Sequence, residues 1–200
     1  MFVDASTLDP AATYRMLVGS VVPRPIAWVT SGAAPKPLNL APFSSFTWVS
    51  QHPAMLGFTI NRRSGGRKDT IRNIEEDGAF VVNIAHEGML ESLHASSEWL
   101  GPDESEVSKL ELATSDCTFI AVPRLTDAPV SMECVYDRTI AFSPTGGEFV
   151  VGRVVAWHVH DDVVTEGRID TELLRPIARL AGPRYSTLGT ITELVPLPGG

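Results

Sequence analysis

The sequence predicts a mainly β fold with a few short helices, its antiparallel strands curled into a closed or half-closed barrel. Three observations carry that expectation. Six or more runs rich in Val, Ile, Thr and aromatic residues read as strands. The two longest, 130–142 and 148–160, are separated only by Ser143-Pro144-Thr145-Gly146-Gly147, which suits a tight antiparallel connection. Helices do not alternate regularly with strands, and no G-x-G-x-x-G occurs, so a doubly wound dinucleotide fold lacks its phosphate turn.

Along the chain, Asp9-Pro10 opens a short helix over 11–18. The aspartate can accept from first-turn N–H groups, proline fits that turn, and Gly19 can take a left-handed exit. Residues 25–30 form a strand that ends in the turn-rich stretch 31–37. Further strands cover 54–61 and 79–85, the latter built on Val81, Val82 and Ile84. Between them, 69–77 carries Ile71 and Ile74 at helical spacing behind Asp69 as cap. A helix over 87–98 has the apolar stripe Met89, Leu90 and Leu93, and 171–180 is a short helical segment interrupted by Pro176. No repeat, low-complexity tract or long linker appears, so one domain over 1–200 is expected.

Sixteen basic against 24 acidic side chains give a formal net charge of −8, which argues against a nucleic-acid partner. Hydrophobic residues at 44% and charged residues at 20% exclude the disordered class. Cys117 and Cys134 make neither a disulfide framework nor a C-x-x-C pair, and read as reduced thiols. Met1-Phe2-Val3-Asp4 has no basic or apolar signal region, and no apolar run approaches the roughly 20 residues a bilayer requires. The expectation is a cytoplasmic protein with no membrane partner.

Chemistry concentrates in two stretches. Asn61-Arg62-Arg63-Ser64-Gly65-Gly66-Arg67-Lys68-Asp69-Thr70 places four basic residues and a glycine pair at a helix start. Charge, hydroxyl donors and close backbone approach are what a phosphate needs, and Arg67, Lys68 and Thr70 are the candidates. A solvated loop with a routine Asp cap fits the same residues. Asn39-Leu40-Ala41-Pro42-Phe43-Ser44-Ser45-Phe46 alternates polar groups with aromatics, and Pro42 interrupts strand pairing. It suits one side of a flat, heteroatom-rich ring, or an ordinary edge strand. His158 and His160 share a face if extended, with Asp161 or His52 as a third group for a metal; a structural or interface pair, or a place near the substrate, fits equally. Trp28, Trp48, Trp99 and Trp157 read as core or interface anchors, and Asn83 as a buried, hydrogen-bonded amide.

Read in order, Val21-Val22-Pro23-Arg24-Pro25-Ile26-Ala27-Trp28-Val29-Thr30, the segment Asn39-Leu40-Ala41-Pro42-Phe43-Ser44, and Lys68-Asp69-Thr70-Ile71-Arg72-Asn73-Ile74 resemble the flavin reductase-like, FMN-binding split-barrel family. Phe80-Val81-Val82-Asn83, Val151-Gly152-Arg153-Val154-Val155-Ala156 and Arg179-Leu180-Ala181-Gly182-Pro183-Arg184-Tyr185 extend the similarity over nearly the whole chain. Ala181 stands where the family often has the first of two glycines.

The resemblance implies an antiparallel, Greek-key-like split β-barrel and a homodimer with FMN near the subunit interface. It assigns the phosphate to Ser45, Lys68 and Thr70, with Arg67 beside them. The isoalloxazine falls to the 39–46 segment (Asn39, Ala41, Pro42, Ser44, Ser45 and Phe46), with Arg184 and Tyr185 arriving from the C-terminal motif. The implied activity is an NAD(P)H:flavin oxidoreductase. NADH or NADPH gives a hydride to the flavin, which carries the chemistry without a catalytic side chain. Reduced flavin could then supply a partner monooxygenase. The alternatives are a tightly FMN-bound electron carrier of the same fold, a cupin-like metal enzyme using His158 and His160, and a ligand-free binding module.

Overall fold

The computed structural model describes residues 1–62, 66–101, 103–142 and 146–195. Arg63, Ser64 and Gly65 of the basic stretch, and the Ser143-Pro144-Thr145 connection, lie outside the described residues. Seven antiparallel strands form the principal sheet: β1 (Ala27–Ser31), β2 (Asn39–Phe43), β3 (Phe46–Gln51), β4 (Ala54–Ile60), β5 (Ala79–Ile84), β6 (Val130–Ala141) and β7 (Glu148–Val159). Its order is β2-β1-β5-β6-β7-β4-β3. The two edge strands, β2 and β3, are therefore consecutive in sequence, joined only by Ser44 and Ser45. So short a link requires the sheet to curl until its edges approach. At this corner the Thr59 N–H donates to the Ser45 carbonyl at 2.9 Å, carrying the β3–β4 ladder one residue beyond Phe46. The result is the antiparallel split barrel that the sequence predicts, with a Greek-key-like crossing from β4 to β5.

Phe43, Phe58 and Phe80 stack through the barrel interior, with centroids 5.0 and 5.5 Å apart. Helix α2 (Asp69–Asp77) buries Ile71 and Ile74 against them and ends at Gly78, whose φ of 67° is left-handed. The pairing of β6 with β7 shifts register between Val151 and Gly152. A Cβ at Gly152 would stand 2.4 Å from Phe80 Cζ, so glycine is needed for the ring to sit there. Asn83, wholly buried, donates to the Trp28 carbonyl at 3.0 Å and accepts from Leu125 N–H and the Ser131 hydroxyl, as expected of a buried amide.

The other helices are α1 (Pro10–Ser20), α3 (Leu90–Ala95), α4 (Glu106–Lys109) and α5 (Thr171–Leu174). Asp9 caps α1 by accepting from Ala12 N–H at 2.6 Å, but Gly19 lies inside the helix rather than at its exit. Asp69 is the first residue of α2 and pairs with Arg72; the cap position belongs to Lys68, which makes no side-chain cap bond. The expected helix over 87–98 is a 3-10 turn, Glu87–Met89, followed by the six residues of α3. Helix α5 stops at Leu174 because Arg175 takes φ 47° and Pro176 cannot continue it. Beyond it, Ala178–Arg179 forms a small ribbon between Arg24–Pro25 and Tyr185–Ser186. Among the described residues, no helix is long and apolar enough to cross a membrane.

Candidate functional site

Strand β2 is a sheet edge, and Pro42 has no N–H to offer a further strand. Against this edge opens a cleft of ≈ 620 Å³. Asn39, Ala41 and Pro42 form one part of its lining, and Arg67, Lys68 and Thr70 at the start of α2 form another. The opposite wall comes from residues 96–101 and 103–106, held down at three points. The indole N–H of buried Trp28 donates to Ser96 Oγ at 2.8 Å, Ser105 Oγ donates to the Leu38 carbonyl at 2.6 Å, and Glu106 Oε2 accepts from Leu40 N–H at 2.9 Å.

The basic side of the cleft is an organised donor set. Asn39 Nδ2 donates to Thr70 Oγ1 at 3.0 Å, leaving the buried Thr70 hydroxyl hydrogen for another acceptor. Lys68 Nζ lies 5.1 Å from the centre of the Phe43 ring. Because Lys68 supplies no side-chain cap, the first-turn amides of α2 keep the positive character of a helix N-terminus. Glu106 brings opposite charge close by. Burial pushes its carboxyl up, Asp69 and Glu104 act in the same direction, and the Leu40 N–H opposes them.

The expected site residues divide into three groups. Asn39, Ala41, Pro42, Arg67, Lys68 and Thr70 line the cleft together. Pro42 also lines a second cavity of ≈ 190 Å³, where Ser44 and Tyr185 are found. Ser45, Phe46 and Arg184 line neither cavity: the Ser45 carbonyl extends the β3–β4 ladder, Phe46 pairs with Phe58 and packs on the core, and Arg184 is exposed. Arg67 is already matched by carboxylates. Its Nη1 reaches Glu75 at 2.7 Å and its Nη2 reaches Glu148 at 3.0 Å, and these partners raise its pKa further. Tyr185 has its hydroxyl between His94 Nδ1, at 2.9 Å, and Arg179, whose guanidinium carbon lies 4.6 Å from the tyrosine ring centre.

The sequence did not single out Glu106, the tryptophan at the cleft mouth (Trp99, 78% exposed) as a lining residue, or Arg24 and Arg179. Glu106 follows the capping Ser105, a helix-start signal that says nothing of the distant Leu40 amide it reaches.

His158 and His160 do not share a centre. His158 Nε2 meets Glu133 Oε1 at 2.6 Å, while His160 Nε2 turns to the Thr126 carbonyl at 3.0 Å. Strand alternation ends at Val159, and His160 begins the 3-10 turn Asp161–Val163. The pairing required by the cupin-like alternative is therefore not assembled. Glu133 is wholly buried. Burial alone would raise its carboxyl, but the N–H groups of Thr118 and Phe119 and the His158 ring outweigh that and hold it below the usual range. Cys117 completes a cluster whose donor atoms lie within 4.8 Å of one another, and burial together with Glu133 pushes its thiol up to about 12.

Comparison with known proteins agrees with this architecture. The model of the flavin reductase like domain matches residues 18–174. A Halalkalibacterium halodurans protein is 39% identical over 199 residues, covering 97% of this chain and 95% of its own. Nitrilotriacetate monooxygenase component B from Bacillus cereus superposes with a TM-score of 0.92 at 36% identity, covering 97% of this chain and 98% of its own. The 2-nitrobenzoate 2-nitroreductase NbaA from Pseudomonas fluorescens gives 0.90 at 31% identity, with coverage of 100% and 98%. With a matching sequence model over most of its length and a split-barrel fold, the chain belongs to the flavin reductase-like family.

Proposed function

We propose that this protein is an FMN-dependent oxidoreductase that takes hydride from NADH or NADPH. The observation that carries the reading is the cleft in which Asn39, Lys68 and Thr70 converge beside an uncapped helix N-terminus. Lysine ammonium, threonine hydroxyl and helix amides form a donor set fitted to a phosphate ester. The cleft volume suits a flavin mononucleotide within the usual range of cofactor sites, a few hundred to about 1,000 Å³. FMN, when bound, supplies a ring that accepts hydride and passes electrons onward.

The chain's own work is positioning. Lys68 and Thr70 hold the phosphate, and the Asn39 amide fixes the Thr70 hydroxyl so that its hydrogen is directed to the ligand. The proline-interrupted edge around Ala41 and Pro42 gives the ring a flat, unpaired flank. Trp99, exposed at the mouth, offers an aromatic face to an incoming planar ring. Glu106 Oε2, held by the Leu40 N–H, fixes the wall that faces the cofactor. No side chain is required as a nucleophile or general base.

The working unit is a homodimer in the cytoplasm. Trp48, Phe142 and Trp157 are 64, 71 and 52% exposed, large apolar surfaces that a symmetric partner would cover. Likeness to a monooxygenase component B favours a flavin-dependent monooxygenase as the consumer of the reduced flavin. The test is steady-state oxidation of NADH and of NADPH by the purified protein, with and without added FMN. The reading expects oxidation that depends on protein and FMN together; a rate unchanged by FMN would refute it.

A further inference from the structure

The smaller cavity has a charge problem that the flavin reading does not resolve. Arg24 and Arg179 are directly opposed partners in the antiparallel ribbon and both line this ≈ 190 Å³ space. Like charges facing each other across a strand pair repel. Arg24 is only 8% exposed and Arg179 is half-buried, so water screens them poorly. Among the described residues neither forms an ion pair with a carboxylate.

Neutral groups hold them instead. Arg24 Nη1 donates to the carbonyls of Val18 at 2.9 Å and Val21 at 2.6 Å, and Nη2 donates to that of Leu180 at 3.1 Å. Its Nε stands 3.4 Å from Ser44 Oγ. Arg179 Nε donates to the Gly182 carbonyl at 3.2 Å and Nη1 to the Tyr185 hydroxyl, leaving further N–H donors on this guanidinium. Two buried or half-buried like charges without a counter-charge are unfavourable, and an anion between them reverses the sign.

We propose that this cavity is an anion site that takes the carboxylate or phosphate of the small molecule exchanging electrons with the flavin. Guanidinium forks favour oxyanions, which they can bind bidentately, and the Ser44 hydroxyl, which accepts from Arg24 Nε, keeps its hydrogen as a further donor. Pro42 and Ser97 line both this cavity and the flavin cleft, so an anion here adjoins the cofactor. It is a second charge, distinct from the flavin phosphate assigned to Lys68 and Thr70. Its attribution to the redox partner rests on the flavin reading; the anion site itself stands on the arginine pair.

The test is thermal melting of the full chain, with and without saturating FMN, titrated with sodium benzoate or inorganic phosphate against a chloride control. A bound anion raises Tm according to its affinity. Wild type and Lys68→Ala should both be stabilised by at least one of the two anions, and Arg179→Gln should weaken that anion by about 10- to 150-fold. Stabilisation by benzoate identifies a carboxylate ligand, and stabilisation by phosphate alone identifies the phosphate of a nicotinamide dinucleotide. Ser44→Ala, expected to weaken the anion several-fold, provides the reading should Arg179→Gln not fold. No stabilisation of wild type by either anion, or an affinity unchanged in the folded variants, would overturn the site. Loss of the effect in Lys68→Ala alone would also overturn it, by assigning the anion to the flavin phosphate position. An Arg179-dependent shift in a protein that binds no FMN would keep this site and remove the flavin reading.

Discussion

Replacing Lys68 by alanine removes the ammonium from the wall that Asn39 and Thr70 share, and leaves Phe43 without its cation 5.1 Å away. Lys68 is half-buried and its backbone supplies the cap position of α2, a role that alanine fills without loss of a side-chain cap bond. The effect should therefore fall on the ligand more than on the fold. A hydrogen bond to a charged group contributes about 1.5–3 kcal/mol net, so FMN should bind roughly 10- to 150-fold more weakly. Riboflavin has no phosphate and should bind wild type and variant nearly equally. The FMN preference should also shrink with salt, since the site is partly open to water. Titrating both flavins into both proteins by fluorescence quenching measures the ratio. Equal affinity of wild type for the two flavins would refute the phosphate site, and a preference unchanged in the variant would remove Lys68 from it.

Three further outcomes follow from the fold. Gly152→Ala would press a Cβ to within 2.4 Å of Phe80 and 3.3 Å of Cys134, an overpacking worth about 1–3 kcal/mol that should lower the urea midpoint; an unchanged midpoint would contradict the packing. The carboxyl of Glu133 lies below its ordinary 4.5 in the folded state, so its stabilisation is present above that value and is lost as pH falls through the lowered one. Glu133→Gln should destabilise by about 1–3 kcal/mol at neutral pH and flatten the acid limb of the stability curve, and an unaltered limb would exclude that origin. Light scattering should give twice the 21.6 kDa chain mass at micromolar concentration, and a stable monomer would defeat the dimer and weaken any site shared across it.

Regular elements with local signals were legible in the sequence. The β-branched runs became β6 and β7, and Ile71 with Ile74 marked α2 within the bounds expected. What escaped depended on partners distant in the chain. Residues 178–179 looked helical because nothing local reveals their pairing with Arg24–Pro25, more than 150 positions earlier. His158 and His160 have the spacing of one strand face, but the strand ends between them, and the decisive partner is Glu133 on the neighbouring strand. Residue type and order pointed to Lys68 and Thr70 for a phosphate and to Asn39 for the ring; that all three line one cleft is visible only in the fold. The acidic wall did not stand out: Glu106 gains its character from burial against β2, which is a property of the fold.

The central claim is that this chain binds a flavin and reduces it with a nicotinamide nucleotide. Its most direct test is the visible spectrum of the FMN-loaded protein under anaerobic conditions, before and after NADH or NADPH is added. The account predicts bleaching of the flavin band on addition of one nucleotide or both, and its return when air is admitted. A flavin band that persists with both nucleotides, or a protein that retains no FMN at saturating concentration, would contradict it.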